Sequence, residues 1–173
     1  MAHNYVTKKY NLSTTDATTL YTVPSEKTAF LNSFRYSETS NNATTLTITI
    51  TDSNANVFSF ITTGTASALA EADVLTRNLI LNEGDIIKAT AADANRLTLH
   101  LSILERDQGV NNKFIAKRND YTTTDTVTVY TVPTAKKAIV SSIIIANDDT
   151  SNATGTNYVK FNDSSDTAFI YLG

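Results

Sequence analysis

The sequence TLYTVPSEKTAFLNSFRY occupies residues 19–36, and a second version of it, TVYTVPTAKKAIVSSIII, occupies residues 128–145. Each version opens with a short run rich in β-branched and aromatic residues, a composition typical of a strand. Each then reaches a Val-Pro pair, where the proline fixes φ and removes one ladder donor. The pattern predicts a strand, a corner at the proline, and a longer apolar strand over Ala29–Tyr36 and over Ala138–Ile145.

These two versions belong to an internal repeat with an offset of 109 residues. Residues 5–40 align without a gap on residues 114–149, and twelve of the 36 pairs are identical. That is too orderly for chance, even in a threonine-rich chain. After two one-residue adjustments the match resumes, with Phe58 on Phe169. The motif residues that recur are Tyr21, Val23, Pro24 and Lys27, and Tyr130, Val132, Pro133 and Lys136.

Alternation of apolar and polar residues predicts an all-β fold. Thr45–Thr51 and Arg96–Leu104 each place aliphatic side chains on one face and polar ones on the other. Ala66–Leu75 lacks this pattern, and it fits a short helix or a surface loop equally well. Short strands separated by polar turns, each with one solvated face, favour an antiparallel β-sandwich of jelly-roll-like type.

The repeat divides the chain into two unequal β modules. We expect a complete β-sandwich domain over residues 1–107, a linker over residues 108–113, and a second, shortened copy of the module over residues 114–173. The first copy continues for about 45 residues beyond the last match, and the second copy has no counterpart of them. This shortfall is the most informative irregularity of the sequence.

Composition excludes several classes of function. With a net charge of −3 and no cluster of basic residues longer than two, the chain is not expected to bind nucleic acid. No apolar run approaches the ~20 residues that span a bilayer, so no membrane partner is expected. The absence of cysteine and of an apolar leader favours synthesis in a cytoplasm.

Residues suited to catalysis or to metal binding are sparse. There are two histidines, and His100 falls on the outward face of its predicted strand. Neighbouring carboxylates such as Glu71 and Asp73 fit turn chemistry better than a catalytic pair. The oxygen-rich loops around Asp148, Asp149, Asn152, Asp163 and Asp166 would suit calcium, but their spacing matches no EF-hand, and turns are favoured. We expect no enzyme activity, no cofactor and no metal.

The repeated motif and the apolar strand after it resemble a module found in virion proteins of tailed bacteriophages, including marine and cyanobacterial phages. That module often reads Val-Pro-Ala-Gly-Lys, whereas Glu26 and Ala135 stand here at the glycine position. Leu81–Ile86 also resembles a hairpin late in the module. The resemblance covers residues 5–104 as a complete unit and residues 114–172 as a partial one. It implies a structural component of the virion, made in the host cytoplasm.

This resemblance, together with the short second copy, predicts an assembly function. An isolated half-sandwich would expose an apolar face, which we expect to be covered by the first domain, another copy of the chain or another virion protein. The residues predicted for this assembly interface are Ile139, Ile143, Ile145, Val159, Phe161 and Phe169. The particle could carry such a protein as capsid decoration or cement, or in its neck or tail. Lys27 and Lys136 are expected to cover β-corners with their aliphatic stems and to keep their ammonium groups in water.

The alternative is a receptor- or carbohydrate-binding module of a tail fibre or tail tip, with a host-surface glycan as its partner. Sugar-binding sites commonly place aromatic rings beside Asn or Asp on loops. Tyr10, Tyr121 and Tyr158 lie in or next to polar segments, but the chain contains no tryptophan. The structural hypothesis is therefore favoured over this one.

Overall fold

The computed structural model describes residues 3–108, 114–119, 125–145, 159–162 and 168–172. Nine strands lie within residues 3–108. The longer ones, such as the strands over 44–51 and 97–107, coincide with the alternating segments of the sequence. The nine strands are β1 (His3–Asn11), β2 (Thr18–Thr22), β3 (Lys27–Glu38), β4 (Thr44–Thr51), β5 (Val57–Ala66), β6 (Glu71–Asp73), β7 (Leu79–Leu81), β8 (Ile86–Ala91) and β9 (Leu97–Asp107). Two further strands are β10 (Val159–Asn162) and β11 (Ala168–Leu172).

The nine strands form two antiparallel sheets with the connectivity of a jelly roll. One sheet has the order β1-β9-β3-β6, with β7 also on β3, and the other has the order β2-β8-β4-β5. The pairing is nested, since β1 pairs with β9, β2 with β8, β3 with β6 and β7, and β4 with β5. A long hairpin rolled upon itself gives this pattern. The predicted all-β, jelly-roll-like sandwich is confirmed.

The core lies between the two sheets and is built from the inward positions of each strand. In β9, residues Leu97, Leu99, Leu101 and Ile103 are fully buried, and Thr98 and His100 are exposed between them. The opposite sheet contributes Leu46, Ile48 and Ile50 from β4 in the same alternation. Each sheet therefore presents one apolar face to the other, as period-2 alternation requires.

The segment Ala66–Leu75 is neither a helix nor a plain loop. Ala66 ends β5, and Glu71–Asp73 forms β6 on the outer edge of β3, with Tyr36 opposite Ala72. β6 and β7 are interrupted parts of one edge position beside β3. Three residues are too few for alternation to be visible, so the edge partner was not recognisable from the pattern.

The corner after the repeated motif carries the chain from one sheet to the other. β2 ends at Thr22, and β3 begins at Lys27 in the opposite sheet. Between them the Lys27 N–H donates to the Pro24 carbonyl at 3.3 Å, and Glu26 adopts a φ of 59°. The adjacent Asn82–Asp85 turn has the same form with Gly84 at a φ of 79°. Glu26 thus occupies a left-handed position that favours glycine.

The second copy reproduces parts of this architecture. The β10–β11 hairpin pairs Phe161 with Phe169, as β4–β5 pairs the aligned Ile50 with Phe58. The bulge between Val159 and Lys160 also recurs at the aligned position of β4. In this hairpin the repeat in sequence is therefore also a repeat in strand register.

The strand expected over Ala138–Ile145 is absent, and that prediction is wrong. Residues 138–145 form no ladder, although the aligned β3 pairs with β9 along its whole length. A strand needs a neighbour for its N–H and C=O groups. Within the described part of residues 114–172, no segment corresponds to β9. The apolar pattern is present, but no described segment serves as its pairing partner.

Replacing Glu26 by glycine is expected to stabilise the protein. The substitution removes the cost of a left-handed φ at a residue with a Cβ, and part of this gain is lost to the greater freedom of the unfolded chain. We expect the free energy of unfolding to rise by about 0.5–1 kcal/mol in urea denaturation. Ser25→Gly is the matched control, because Ser25 does not adopt a positive φ. It should lower stability, and a gain in both variants would contradict the explanation.

Candidate functional site

The first copy of the motif places a tyrosine against a buried carboxylate. Tyr21 is buried at the end of β2, and its hydroxyl donates to Oε1 of Glu105 on β9 at 2.9 Å. The Asn4 side-chain amide donates to Oε2 of the same carboxylate at 2.9 Å. Burial raises the pKa of the Tyr21 hydroxyl, and the hydrogen bond to Glu105 and its negative charge raise it further. The tyrosine therefore stays neutral and links β2 of one sheet to β9 of the other.

The lysine of the first copy is engaged more closely than expected. The Lys27 ammonium forms an ion pair with Asp107, two residues after Glu105 on β9. This contact raises the pKa of Lys27. The predicted role for Lys27 did not include this partner, which lies opposite it at the end of β9, and the Lys27 side chain remains 29% exposed. Tyr21 and Lys27 both bind the acidic end of β9.

The second copy keeps the local turn and leaves its side chains exposed. The Lys136 N–H donates to the Pro133 carbonyl at 3.0 Å, and Ala135 has a φ of 59°, as Glu26 does in the first copy. Tyr130 is 41% exposed and Val132 is 45% exposed, whereas Tyr21 is 6% and Val23 is 2% exposed. We call residues 128–145 the repeat segment. It exposes Tyr130 and Val132, whose counterparts the first copy buries.

The residues predicted as an assembly interface show a range of exposure. Ile139 is 92% exposed, Ile145 is half exposed, and Ile143 is partly covered. In the hairpin, Phe161 is 39% exposed and Val159 is partly covered. Phe169 pairs with Phe161 in β11, and its side chain lies outside the described residues. The structure does not bring the repeat segment and the hairpin together through any described strand pairing.

Residues 114–119, which we call the arm, lie against the first domain. Of the predicted linker, residues 109–113 lie outside the described residues. The Asn82 side chain forms two hydrogen bonds with the arm, accepting from the Ala116 N–H at 3.0 Å and donating to the Ala116 carbonyl at 2.9 Å. The Phe114 ring meets Phe30 edge-on at 4.8 Å, and the Arg106 guanidinium lies 5.0 Å from the centre of the Phe114 ring.

A buried ion pair completes the attachment of the arm. Arg118 Nη1 lies 2.7 Å from Oδ2 of Asp85, and the two side chains are only 12% and 2% exposed. Arg118 Nη2 also donates to the Ile80 carbonyl at 3.0 Å. Asp85 accepts in addition from the Asn82 N–H at 2.7 Å. Sequence reasoning missed this site, since Arg118 lies 33 residues from Asp85 and its position in the repeat is aligned with Lys9.

Other carboxylates considered for catalysis serve structural contacts. Asp73 accepts hydrogen bonds from the Ser33 hydroxyl and from the Phe34 and Leu75 amides. Glu71 pairs with Arg35 on the surface at 2.8 Å. No group of three or more metal-ligating side chains occurs among the residues that the structure describes. The oxygen-rich positions Asp148, Asp149, Asn152, Asp163 and Asp166 all lie outside those residues.

Glu38 is a buried carboxylate that holds two loops together. It accepts hydrogen bonds from the Ser40 amide and hydroxyl and from the Leu69 amide. Burial alone would raise the pKa of Glu38, but the hydrogen bonds from the Ser40 side chain and from backbone amides outweigh it and lower the pKa to about 2. The charged form is therefore the one that fits this pocket of donors.

Tyr10, one of the aromatic residues considered for glycan binding, packs within the first domain. A groove of about 390 Å³ opens between β1 and β2, with Tyr10 and Tyr21 among the residues that line it. The Tyr10 hydroxyl donates to the Leu20 carbonyl, and its ring packs on the core. Tyr10 therefore links the two sheets and does not project from a loop. Tyr121 and Tyr158 lie outside the described residues.

Comparison of the sequence with protein families and with characterised proteins finds no match. Among solved structures, the chain is similar to a protein described under the words "Bacillus endospore appendages form a novel family of disulfide-linked pili". The two share 9% identity with a TM-score of 0.43, over 61% of this chain and 87% of that one. A likeness of this size carries no argument about function. Within the described residues, no helix has the length and apolar character needed to cross a membrane.

Removing the Arg118 charge is expected to destabilise the first domain and release the arm. Arg118→Met would leave Asp85 without its buried partner, so the free energy of unfolding should fall by about 2–3 kcal/mol in urea denaturation. Arg35→Met is the matched control, because its pair with Glu71 is exposed on both sides. That variant should lose less than about 1 kcal/mol. Equal small losses in the two variants would show that the Arg118 pair contributes no more than a surface ion pair.

Stability is expected to fall in acid through the protonation of Glu38. Its pKa is about 2 in the folded protein against an ordinary 4.5, so its contribution is complete above about pH 4.5. As the pH falls from there through about 2, that contribution is lost. Unfolding by urea should show a smaller loss over this range in Glu38→Gln, which cannot titrate, than in the unaltered protein. Parallel curves for the two proteins would contradict the assignment.

Proposed function

We propose that this chain is a non-enzymatic structural protein of a bacteriophage virion that assembles through its β-sandwich surfaces. The observation that carries the proposal is the repeat segment, which holds the buried pattern of β2 and β3 in an exposed form. Eight of the thirteen large apolar side chains exposed among the described residues lie between Val127 and Ile145. A concentration of this kind marks a surface for interaction with other protein.

The buried carboxylates of the first domain have structural partners, and this supports a structural, non-enzymatic role. The buried carboxylates Glu38, Asp85 and Glu105 all accept hydrogen bonds from neighbouring strands, turns or the arm. They stabilise the frame that carries the repeat segment. Jelly rolls also occur in viral capsids, lectins and other proteins, so the fold is compatible with the proposal and does not select it. The assignment to a phage particle rests on the sequence resemblance to modules of phage virion proteins.

The energetics of the exposed surface are sufficient for assembly. Covering even ~300 Å² of apolar surface contributes ~7 kcal/mol before the costs of ordering and association. The repeat segment would therefore gain from a neighbour in the particle, whether another copy of the chain or another virion protein. Such contacts would be made on the capsid, where the protein would act as decoration or cement, or in the neck or tail.

Quantitative mass spectrometry of purified particles is the test of this proposal. We expect the protein to remain with particles after density-gradient purification, in a fixed number of copies for each particle. Hundreds of copies would indicate capsid decoration, whereas six or twelve would indicate the neck or tail. Loss of the protein from purified particles, with a free pool in the lysate, would contradict a structural role in the virion.

The alternative, a receptor-binding module of a tail fibre or tail tip, is tested separately. A glycan array and adsorption of the purified protein to host cells would reveal a host-surface glycan as its partner. Binding there would favour the alternative. The structural proposal expects retention on particles without such binding.

A further inference from the structure

The first domain shows which strand covers a repeat segment. In that domain β9 lies beside β3 in antiparallel register, with Asp107 opposite Lys27, Glu105 opposite Ala29 and Ile103 opposite Leu31. Tyr21 and Val23 of the motif, and Ala29 and Leu31 of β3, are buried in the sandwich that this contact helps to form. The repeat segment holds the corresponding residues, but no strand lies beside it within the described part of the chain.

The side chains of β9 define the chemistry of the missing strand. Its inward positions are aliphatic from Leu97 to Ile103 and then acidic at Glu105 and Asp107. Glu105 accepts from the Tyr21 hydroxyl, and Asp107 pairs with Lys27. Glu105 and Asp107 are two residues apart and therefore lie on the same side of β9. One strand can thus bind both the tyrosine before the proline corner and the lysine after it.

The repeat segment offers the same two groups without their acceptors. Tyr130 and Lys136 hold the positions of Tyr21 and Lys27, and the turn between them has the same hydrogen bond and the same positive φ. Neither side chain makes a hydrogen bond or ion pair within the described residues. Val140, which replaces the fully buried Leu31, is 55% exposed. The polar groups of the segment thus match the acidic end of a strand like β9, and its apolar side chains match the aliphatic part.

The chain's own β9 is not free to serve this purpose. It is paired on one side with β1, from His3 to Asn11, and on the other side with β3. Both of its edges are occupied, so a further strand cannot be added beside it. A strand that pairs with the repeat segment would therefore be one other than β9 of the first domain.

We propose that the repeat segment is a docking site for a β-strand of another polypeptide with the chemistry of β9. That donor strand lies antiparallel to residues 136–145, with aliphatic residues at alternate positions and two carboxylates at the end. One carboxylate accepts from Tyr130, and the other pairs with Lys136. This identification of the partner rests on the proposed assembly function, since it names what fills the assembly surface. Main-chain hydrogen bonds give such strand addition its strength, and the alternate side chains give it selectivity.

A synthetic peptide of residues 97–107 (LTLHLSILERD) serves as the probe, added to the full chain. We expect saturable binding by fluorescence anisotropy, together with protection of residues 128–145 in hydrogen–deuterium exchange. A peptide with Glu105→Gln and Asp107→Asn should bind at least about tenfold more weakly, because it loses the charge-assisted hydrogen bonds. In the chain, Lys136→Met should weaken binding of the unaltered peptide, whereas Lys137→Met should leave it unchanged. Lys137 is the matched control, since it replaces Thr28 and lies on the other side of the segment.

Several results would overturn the proposal. One is the absence of added protection at residues 128–145. Another is equal binding by the peptide that lacks both carboxylates. Protection of the segment in the chain alone, accompanied by a stable dimer at micromolar concentration, would show that a second copy covers it by other means. Particle mass spectrometry is independent of these results, so failure of the peptide assay leaves the virion proposal intact, and absence from particles leaves the docking site intact.

Discussion

The pairing of β9 with β3 is the interaction on which the rest of the first domain depends. β9 closes the roll by returning beside β1, supplies the fully buried Leu99 and Leu101 to the core, and ends with the carboxylates that bind Tyr21 and Lys27. One strand thus satisfies the backbone of two neighbours, contributes to the core between the sheets, and provides acceptors for the Tyr21 hydroxyl and the Lys27 ammonium. The repeat segment shows what the same local sequence becomes without such a strand.

Much of the first domain could be predicted from sequence, because alternation records the environment of each residue. Thr44–Thr51 and Leu97–Asp107 read clearly, since one side of each strand faces the core and the other faces solvent. The short edge strand Glu71–Asp73 was missed, because three residues contain hardly more than one period. The strand expected over Ala138–Ile145 failed for a different reason. A pattern reports which side chains would be buried and does not report whether a pairing partner is present.

The contacts of the candidate site were less accessible to sequence reasoning. Glu105 continues the inward series of β9 at the position where an aliphatic residue would be expected, and that irregularity was a signal for a buried carboxylate. Its partner Tyr21 lies 84 residues away, however, and only the nested pairing of strands brings the two together. The Arg118–Asp85 pair left no such signal, because it depends on how the arm crosses the Asn82–Asp85 turn.

The nested pairing also has a consequence for the order of events on the ribosome. β1 cannot find its neighbour until β9 has been synthesised about a hundred residues later, and contacts so distant in sequence make folding slow. Until then, β3 lacks its β9 neighbour, as residues 138–145 lack a neighbouring strand within the described part of the chain. The second module thus resembles a nascent stage of the first. Chaperones that shield growing chains would meet the same apolar pattern twice in each round of translation, and the arm contacts with Asn82 and Asp85 would form only after β9, which precedes the arm, has been synthesised.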